Sequence, residues 1–289
     1  MDAAAETMEQ LLERFLAWAR GNDDIRAVVL IGSRARTDRP ADAWSDTDLI
    51  VVARASQHYL ETTAWLEEIG EPWLTFLERT ADEQGWERRV LFAGVLDVDF
   101  ALLSLGQFVK AMQEGIAVEI VSRGFRPLLD KDGLVAQMPL SAGKHPPASP
   151  PTQAEFLQTV HDFLYHAVWT AKKLGRGELW VGKSCCDSYM KQLLRQMAAW
   201  HARALHGWDY DTWFGGRFLE EWADPRVLQG LHAAFAHYDE TDVWRALFAT
   251  MDLFQWVAGE VAERLGYTYP SAIHERVAQW ILGVATTES

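Results

Sequence analysis

Residues 25–34 read Ile-Arg-Ala-Val-Val-Leu-Ile-Gly-Ser-Arg, and residues 46–53 read Asp-Thr-Asp-Leu-Ile-Val-Val-Ala. Each stretch contains a short, β-branched apolar run of the kind that forms a buried strand. The first run ends at Gly32-Ser33, which predicts a turn, and the second follows directly on two acidic residues. A domain that combines strands with helices is therefore expected around these two stretches.

The flanking sequence adds both helices and strands to this pair. Amphipathic or helix-forming patterns predict helices at 5–20, 56–69 and 105–113. Residues 88–94 and 95–103 predict two further strands paired around Gly94, and 116–130 contains at least one more. The N-terminal part is thus predicted to be a mixed sheet with flanking helices.

The hydrophobic pattern of the sequence changes after a proline-rich segment, residues 141–151. Beyond it, helical patterns follow one another at 152–174, 183–206, 226–238, 240–265 and 271–285. The proline-rich segment at 141–151 is typical of a linker between domains. We predict an α+β protein of two domains, residues 1–143 with the sheet and residues 152–289 as an all-α helical bundle.

Composition and charge exclude several classes of function. The chain has 289 residues, with 27 basic against 41 acidic side chains and a net charge of −14, which disfavours nucleic-acid binding. No apolar run approaches the roughly 18 residues that span a bilayer, and the acidic N-terminus is not typical of a signal peptide. Cys185 and Cys186 are adjacent and are not expected to form a structural disulfide. These features predict a cytoplasmic protein.

The chemistry is expected at the ends of the first strands. Gly32 allows close approach of a ligand to the backbone, while Ser33 and Arg34 offer a hydroxyl and a guanidinium to phosphate. Asp46 and Asp48 are two residues apart at a strand start, so both carboxylates point to one face of the sheet. A third carboxylate, Asp99 on a neighbouring strand, would complete a cage for Mg²⁺, which suits in-line displacement at phosphorus.

These residues resemble the signature of the polymerase-beta-type nucleotidyltransferases. The chain is similar in particular to the aminoglycoside 6-adenylyltransferases, the streptomycin-modifying family. Residues 25–34, 45–50 and 97–103 resemble three family segments, the last of which assigns the third ligand to Asp99 rather than Asp97. The resemblance extends over nearly the whole chain through segments at 171–174, 197–201, 215–219, 242–248 and 261–267.

The resemblance implies a reaction in which AMP passes from MgATP to a hydroxyl of streptomycin and pyrophosphate is released. It implies ATP and Mg²⁺ as cofactors and a small cationic aminoglycoside-like acceptor, with which the surplus of acidic residues agrees. The implied metal ligands are Asp46, Asp48 and Asp99. The implied triphosphate ligands are Gly32, Ser33 and Arg34, assisted by a lysine of the helical domain, Lys172 or Lys183.

One segment departs from the family. Residues 161–165 read His-Asp-Phe-Leu-Tyr where the family has Asn-Glu-Phe-Trp-Trp. Asp162 is either a base for the acceptor hydroxyl or a solvated acid in the first turn of a helix. Two alternatives therefore stay open: an adenylyltransferase for another aminoglycoside or small cationic metabolite, and a non-catalytic nucleotide-binding regulator. The sequence is compatible with a monomer or a homodimer.

Overall fold

The computed structural model describes residues 7–36, 38–80, 85–113, 124–137 and 148–287. The chain divides into two compact units, Met1–Pro146 and Pro147–Ser289. The division falls within 144–151, the interval left between the two predicted domains. Residues 141–147 of the proline-rich segment lie outside the described residues, as do residues 116–123 of the predicted strand region 116–130.

The first unit contains a six-stranded sheet and its helices. The described helices are α1 (Met8–Gly21), α2 (Ser56–Glu61), α3 (Ala64–Glu67) and α4 (Leu105–Gln113). The strands are β1 (Ile25–Ile31), β2 (Thr47–Ala53), β3 (Pro72–Arg79), β4 (Trp86–Phe92), β5 (Leu96–Ser104) and β6 (Arg126–Asp130). Two single turns of 3₁₀ helix lie at Gly32–Arg34 and Val135–Gln137.

The sheet is mixed, as predicted. Its strand order is β3-β4-β5-β2-β1-β6. The central pair, β2 and β5, is parallel, while all other neighbours are antiparallel. Because β2 and β5 are parallel, both strands start at the same end of the sheet.

Both faces of the central strands are covered, which explains their continuous apolar runs. Leu49 and Val51 face the cluster that α1 completes with Phe15. Ile50 and Val52 face a smaller cluster that contains Phe108 of α4. Because side chains alternate along a strand, Asp48 lies on the same face as Ile50, just beyond the apolar cluster around α4.

The second unit is all helical, as predicted. Its helices are α5 (Gln153–Leu174), α6 (Leu179–Ser184), α7 (Met190–His206), α8 (Leu219–Trp222), α9 (Pro225–Ala234), α10 (Glu240–Leu265) and α11 (Ser271–Thr287). A turn of 3₁₀ helix lies at Phe214–Gly216 and a π-helical turn at Cys185–Tyr189. In the core, Phe163 of α5 stacks on Phe254 of α10 with ring centroids 3.6 Å apart.

The π-helical turn contains both cysteines of the chain. Cys185 and Cys186 are free and buried. Burial raises the pKa of both thiols. The thiols are therefore packed as small apolar groups rather than exposed as nucleophiles.

Several elements of the structure differ from the predictions. Strand β3 was not predicted, because four of its large apolar side chains are exposed and show no alternation between core and solvent. The helix predicted over 56–69 is two short helices, interrupted at Thr62 and Thr63, whose backbones are not helical. The helix predicted over 183–206 begins earlier, at Leu179, and is interrupted by the π-helical turn.

In the portion of the chain that the structure covers, no helix combines the length and the apolar character needed to cross a membrane.

Candidate active site

The turn after β1 brings the backbone against a carboxylate. Gly32 has a φ of +69°, and a Cβ placed on it would lie 2.0 Å from Oδ2 of Asp48. A side chain at this position would therefore be strained and would also displace the carboxylate. The space beside this glycine is occupied by Asp48, and the close approach of a ligand to Gly32 stays a prediction.

The structure brings the three predicted carboxylates together. Asp48 of β2 is the register partner of Asp99 on the parallel strand β5. Asp46 lies just before β2, and Thr47 between the two acids is fully buried. Each of the three acids offers one oxygen, and these oxygens all lie within 4.8 Å of one another.

Asp99 is the buried member of this acidic cluster (Asp46, Asp48 and Asp99). Its side chain is 5% exposed, and Oδ1 is buried without a hydrogen-bond partner among the described residues. Burial raises the pKa of Asp99 to about 7, an effect that Arg89 opposes and Asp48 reinforces. The cluster suits a hard divalent cation, because the atoms that it offers are all carboxylate oxygens.

Asp97, the other acid of β5, lies on the same side of the strand as Asp99 but is exposed. It is not a member of the acidic cluster. Its pKa is raised by partial loss of solvent around the carboxylate and by the nearby charge of Asp46. This position agrees with the assignment of the third ligand to Asp99, although its role as a ligand stays a prediction.

The predicted phosphate ligands line the turn at Gly32–Arg34. The hydroxyl of Ser33 is buried and has no partner within the described parts of the chain. The guanidinium of Arg34 donates through Nε to the carbonyl of Asp46 and through Nη2 to that of Ser45, each at 3.1 Å. Arg34 thus ties the turn to the start of β2, and its contact with phosphate stays a prediction.

Asp162 lies in the interior of α5, so the interpretation of it as a solvated acid in the first helical turn is wrong. Its Oδ2 accepts a hydrogen bond from the hydroxyl of Tyr189 at 2.9 Å. Its Oδ1 lies 2.7 Å from Nδ1 of His166. We call these three residues the Asp162 group. Sequence reasoning did not find its two partners, since the π-helical turn that presents Tyr189 has no sequence pattern of its own.

The two predicted lysines also lie in the second unit. Lys172 of α5 has its Nζ 5.8 Å from the ring centroid of Trp280. Lys183 of α6 forms an ion pair with Asp187 one turn later. Their contact with a nucleotide stays a prediction.

Sequence reasoning also missed Arg89. This residue of β4 is the register partner of Asp99, and its Nη1 lies 3.2 Å from Oδ2 of that carboxylate. The signal available in the sequence was a basic residue inside a predicted strand. Only the pairing of β4 with β5 shows which acid it meets.

Comparison with known proteins adds the family. The model of the streptomycin adenylyltransferase family matches residues 5–284. The chain belongs to the streptomycin adenylyltransferase family. This membership confirms the resemblance seen in the sequence and makes the chain a nucleotidyltransferase. The acidic cluster is the candidate active site of this streptomycin adenylyltransferase family member.

Individual relatives of this family member span nearly its full length. An aminoglycoside 6-adenylyltransferase of Campylobacter jejuni is 22% identical, with 95% of this chain and 94% of the relative covered. One of Bacillus subtilis is 23% identical, with 91% and 92% covered. A solved aminoglycoside 6-adenyltransferase structure from Bacillus subtilis is 19% identical, covers 97% of this chain and 99% of its own, and has a TM-score of 0.46.

Proposed function

We propose that this enzyme transfers AMP from MgATP to a hydroxyl of an aminoglycoside, with streptomycin as the acceptor, and releases pyrophosphate. The acceptor oxygen forms a bond to the α-phosphorus while the bond from that phosphorus to the β-phosphate oxygen breaks. The hydroxyl proton passes to a base. The observation that carries the proposal is the convergence of three carboxylates beside the Gly32 turn in a chain of this family.

The acidic cluster is proposed to hold Mg²⁺ through Asp46, Asp48 and Asp99. When bound, the cation neutralises charge on the phosphates and on the attacking oxygen. Oδ1 of Asp99 is buried and has no partner among the residues that the structure describes, which supports this assignment, since a buried carboxylate oxygen without a partner is costly.

The turn at Gly32–Arg34 is proposed to bind the triphosphate. The buried hydroxyl of Ser33 is available to donate to a phosphate oxygen, because no described group accepts its proton. Arg34 holds the turn against β2 and adds positive charge. Lys172 or Lys183 is proposed to assist from the helical unit.

Asp162 is proposed to take the proton of the acceptor hydroxyl. Tyr189 and His166 hold the carboxylate in one orientation, which supports a role that needs a defined geometry. A carboxylate also suits the guanidinium groups of a cationic acceptor. The net charge of −14 is compatible with attraction of such an acceptor.

The reaction is proposed to take place in the cytoplasm, by a monomer or a homodimer. Two free, buried cysteines support a reducing compartment.

A second acceptor class is kept for one reason. Residues 161–165 lack the two tryptophans of the family segment, and Tyr165 is exposed where one of them would stand. If that segment contacts the acceptor, the pocket differs in shape. Another aminoglycoside or a small cationic metabolite is therefore the second candidate.

The deciding experiment is an adenylylation assay with ATP, Mg²⁺ and a panel of aminoglycosides that includes streptomycin. Mass spectrometry should show addition of one AMP to streptomycin, and mapping should find one modified hydroxyl. Transfer only to another acceptor would replace streptomycin and keep the chemistry. ATP binding without pyrophosphate release across the panel would favour a non-catalytic regulator.

A further inference from the structure

We propose that Arg89 is a positioning residue for the cation site: its guanidinium holds Asp99 so that one carboxylate oxygen faces the acidic cluster. The inference rests on the proposed Mg²⁺ site and adds a residue that neither the motifs nor the family segments contain.

The two oxygens of Asp99 have different surroundings. Oδ2 lies 3.2 Å from Nη1 of Arg89, whereas Oδ1 is buried and has no partner in the described residues. Because Asp99 is only 4% exposed, solvent cannot stand in for a lost contact on either side. Arg89 therefore occupies one oxygen and leaves the other to the cluster.

Arg89 is itself held on its other nitrogens. Its Nε lies 2.5 Å from Oε2 of Glu78 on β3, and its Nη2 lies 3.1 Å from Oε1 of Glu87 on β4. Glu78 and Glu87 are register partners, so the backbone ladder fixes this pair beside Arg89. Each nitrogen of the guanidinium faces a carboxylate, and its planar, rigid fork transmits that orientation to Asp99.

The same contacts argue against Arg89 as a phosphate ligand. A guanidinium already engaged with three carboxylates on three strands has no nitrogen without an acidic neighbour. Its contribution is instead comparable to that of the outer groups that orient metal ligands, whose removal weakens metal binding by about 10- to 100-fold.

The sign of the effect distinguishes positioning from simple charge. A cation near a metal site repels the metal, so loss of its charge alone would tighten metal binding. Loss of a positioning group would weaken it, because Asp99 could then turn away from the cluster. Arg89→Met removes the charge and the fork together, so the direction of the change in metal affinity shows which of the two dominates, while Arg89→Lys keeps the charge and removes only the fork.

The test measures Mn²⁺ binding to the full chain by electron paramagnetic resonance. Circular dichroism checks that each variant is folded. Arg89→Met should weaken Mn²⁺ binding about 10-fold or more, and Arg89→Lys by less. The Mg²⁺ concentration for half-maximal transfer should rise by the same factor. The control is Arg79→Met on β3, because Arg79 packs over the ring of Trp86 and lies on the other face of the sheet.

Unchanged or tighter Mn²⁺ binding by folded Arg89→Met would overturn the proposal. If that variant does not fold, Arg89→Gln replaces it in the same comparison. Wild-type Mn²⁺ affinity in Asp99→Asn would overturn both the cation site and the role of Arg89. If Arg89→Met weakens Mn²⁺ binding while the unsubstituted protein transfers AMP to no aminoglycoside, the proposed acceptor is refuted and the role of Arg89 stays intact.

Discussion

The acidic cluster of the sheet unit and the Asp162 group of the helical unit differ in the burial and in the hydrogen-bond partners of their carboxylates. Asp99 is buried and has one oxygen without a partner in the described part of the chain, whereas Asp162 is partly exposed and has a partner on each oxygen. The first arrangement is costly until a ligand arrives, and the second is already satisfied. If Asp99 binds a cation and Asp162 takes a proton, as proposed, the comparison teaches that the two roles go with different surroundings of a carboxylate.

The largest expected effect comes from Asp48→Asn. Loss of one of three carboxylates should reduce transfer by about 10³-fold or more, since electrostatic stabilisation of the transition state is lost. The free energy of unfolding of the cation-free protein should stay the same or rise, because repulsion within the acidic cluster falls. Urea unfolding with EDTA and a pyrophosphate-release assay check both. Full activity of this variant would remove the cluster from the mechanism.

The next effect comes from Gly32→Ala. A methyl group 2.0 Å from Oδ2 of Asp48 must displace the carboxylate, and φ at +69° adds backbone strain. Transfer should fall about 10²-fold, and the protein should lose about 1–2 kcal/mol of stability. The matched control is Gly106→Ala in α4, where a Cβ meets nothing within 4 Å. That control should be neutral or slightly stabilising.

Asp162→Asn tests the other side of the comparison. If Asp162 takes the acceptor proton, kcat should fall about 10²-fold while Mn²⁺ affinity is unchanged. Glu263→Gln, a change at an exposed acid of α10, should leave kcat unaltered. Steady-state kinetics with the best acceptor, together with the Mn²⁺ titration, give the result. A loss of Mn²⁺ binding in Asp162→Asn would show that the two groups are not chemically separate.

The smallest effect concerns stability of the helical unit in acid. His201 of α7 is 2% exposed, and burial lowers its pKa below 6.5. The unfolded chain then binds a proton more readily than the folded one, so stability is full above pH 6.5 and declines as the pH falls below it. His201→Gln should reduce the loss of urea stability between pH 7.5 and about pH 5.5. His232→Gln at an exposed position should not.

The predictable part of the molecule is the part in which local pattern and burial agree. Strands β1 and β2 and the pair around Gly94 have apolar runs with clear ends, with Asp46 just before β2, Asp48 near its start and Asp99 within β5. Strand β3 was missed because it is an edge strand whose exposed Leu74 and Phe76 hide any alternation. Local pattern predicts a strand where one face is buried, and β3 has little buried face.

The residues that contact the candidate site residues could not be predicted from the sequence. Arg89 meets Asp99 only through the register of β4 with β5, and a shift of one residue would send it to the other face. Tyr189 meets Asp162 only through the π-helical turn. Motifs identify the candidate ligands, whereas long-range register decides which residues they contact.

The burial of both cysteines has a practical consequence for the study of this enzyme. Cys185 and Cys186 are the only two cysteines of the chain, and both are in the core with raised thiol pKa values. A thiol-reactive probe should therefore leave the native protein unmodified at neutral pH. A single cysteine introduced on an exposed face would carry a spin label or a fluorophore at one known position, without removal of either native cysteine.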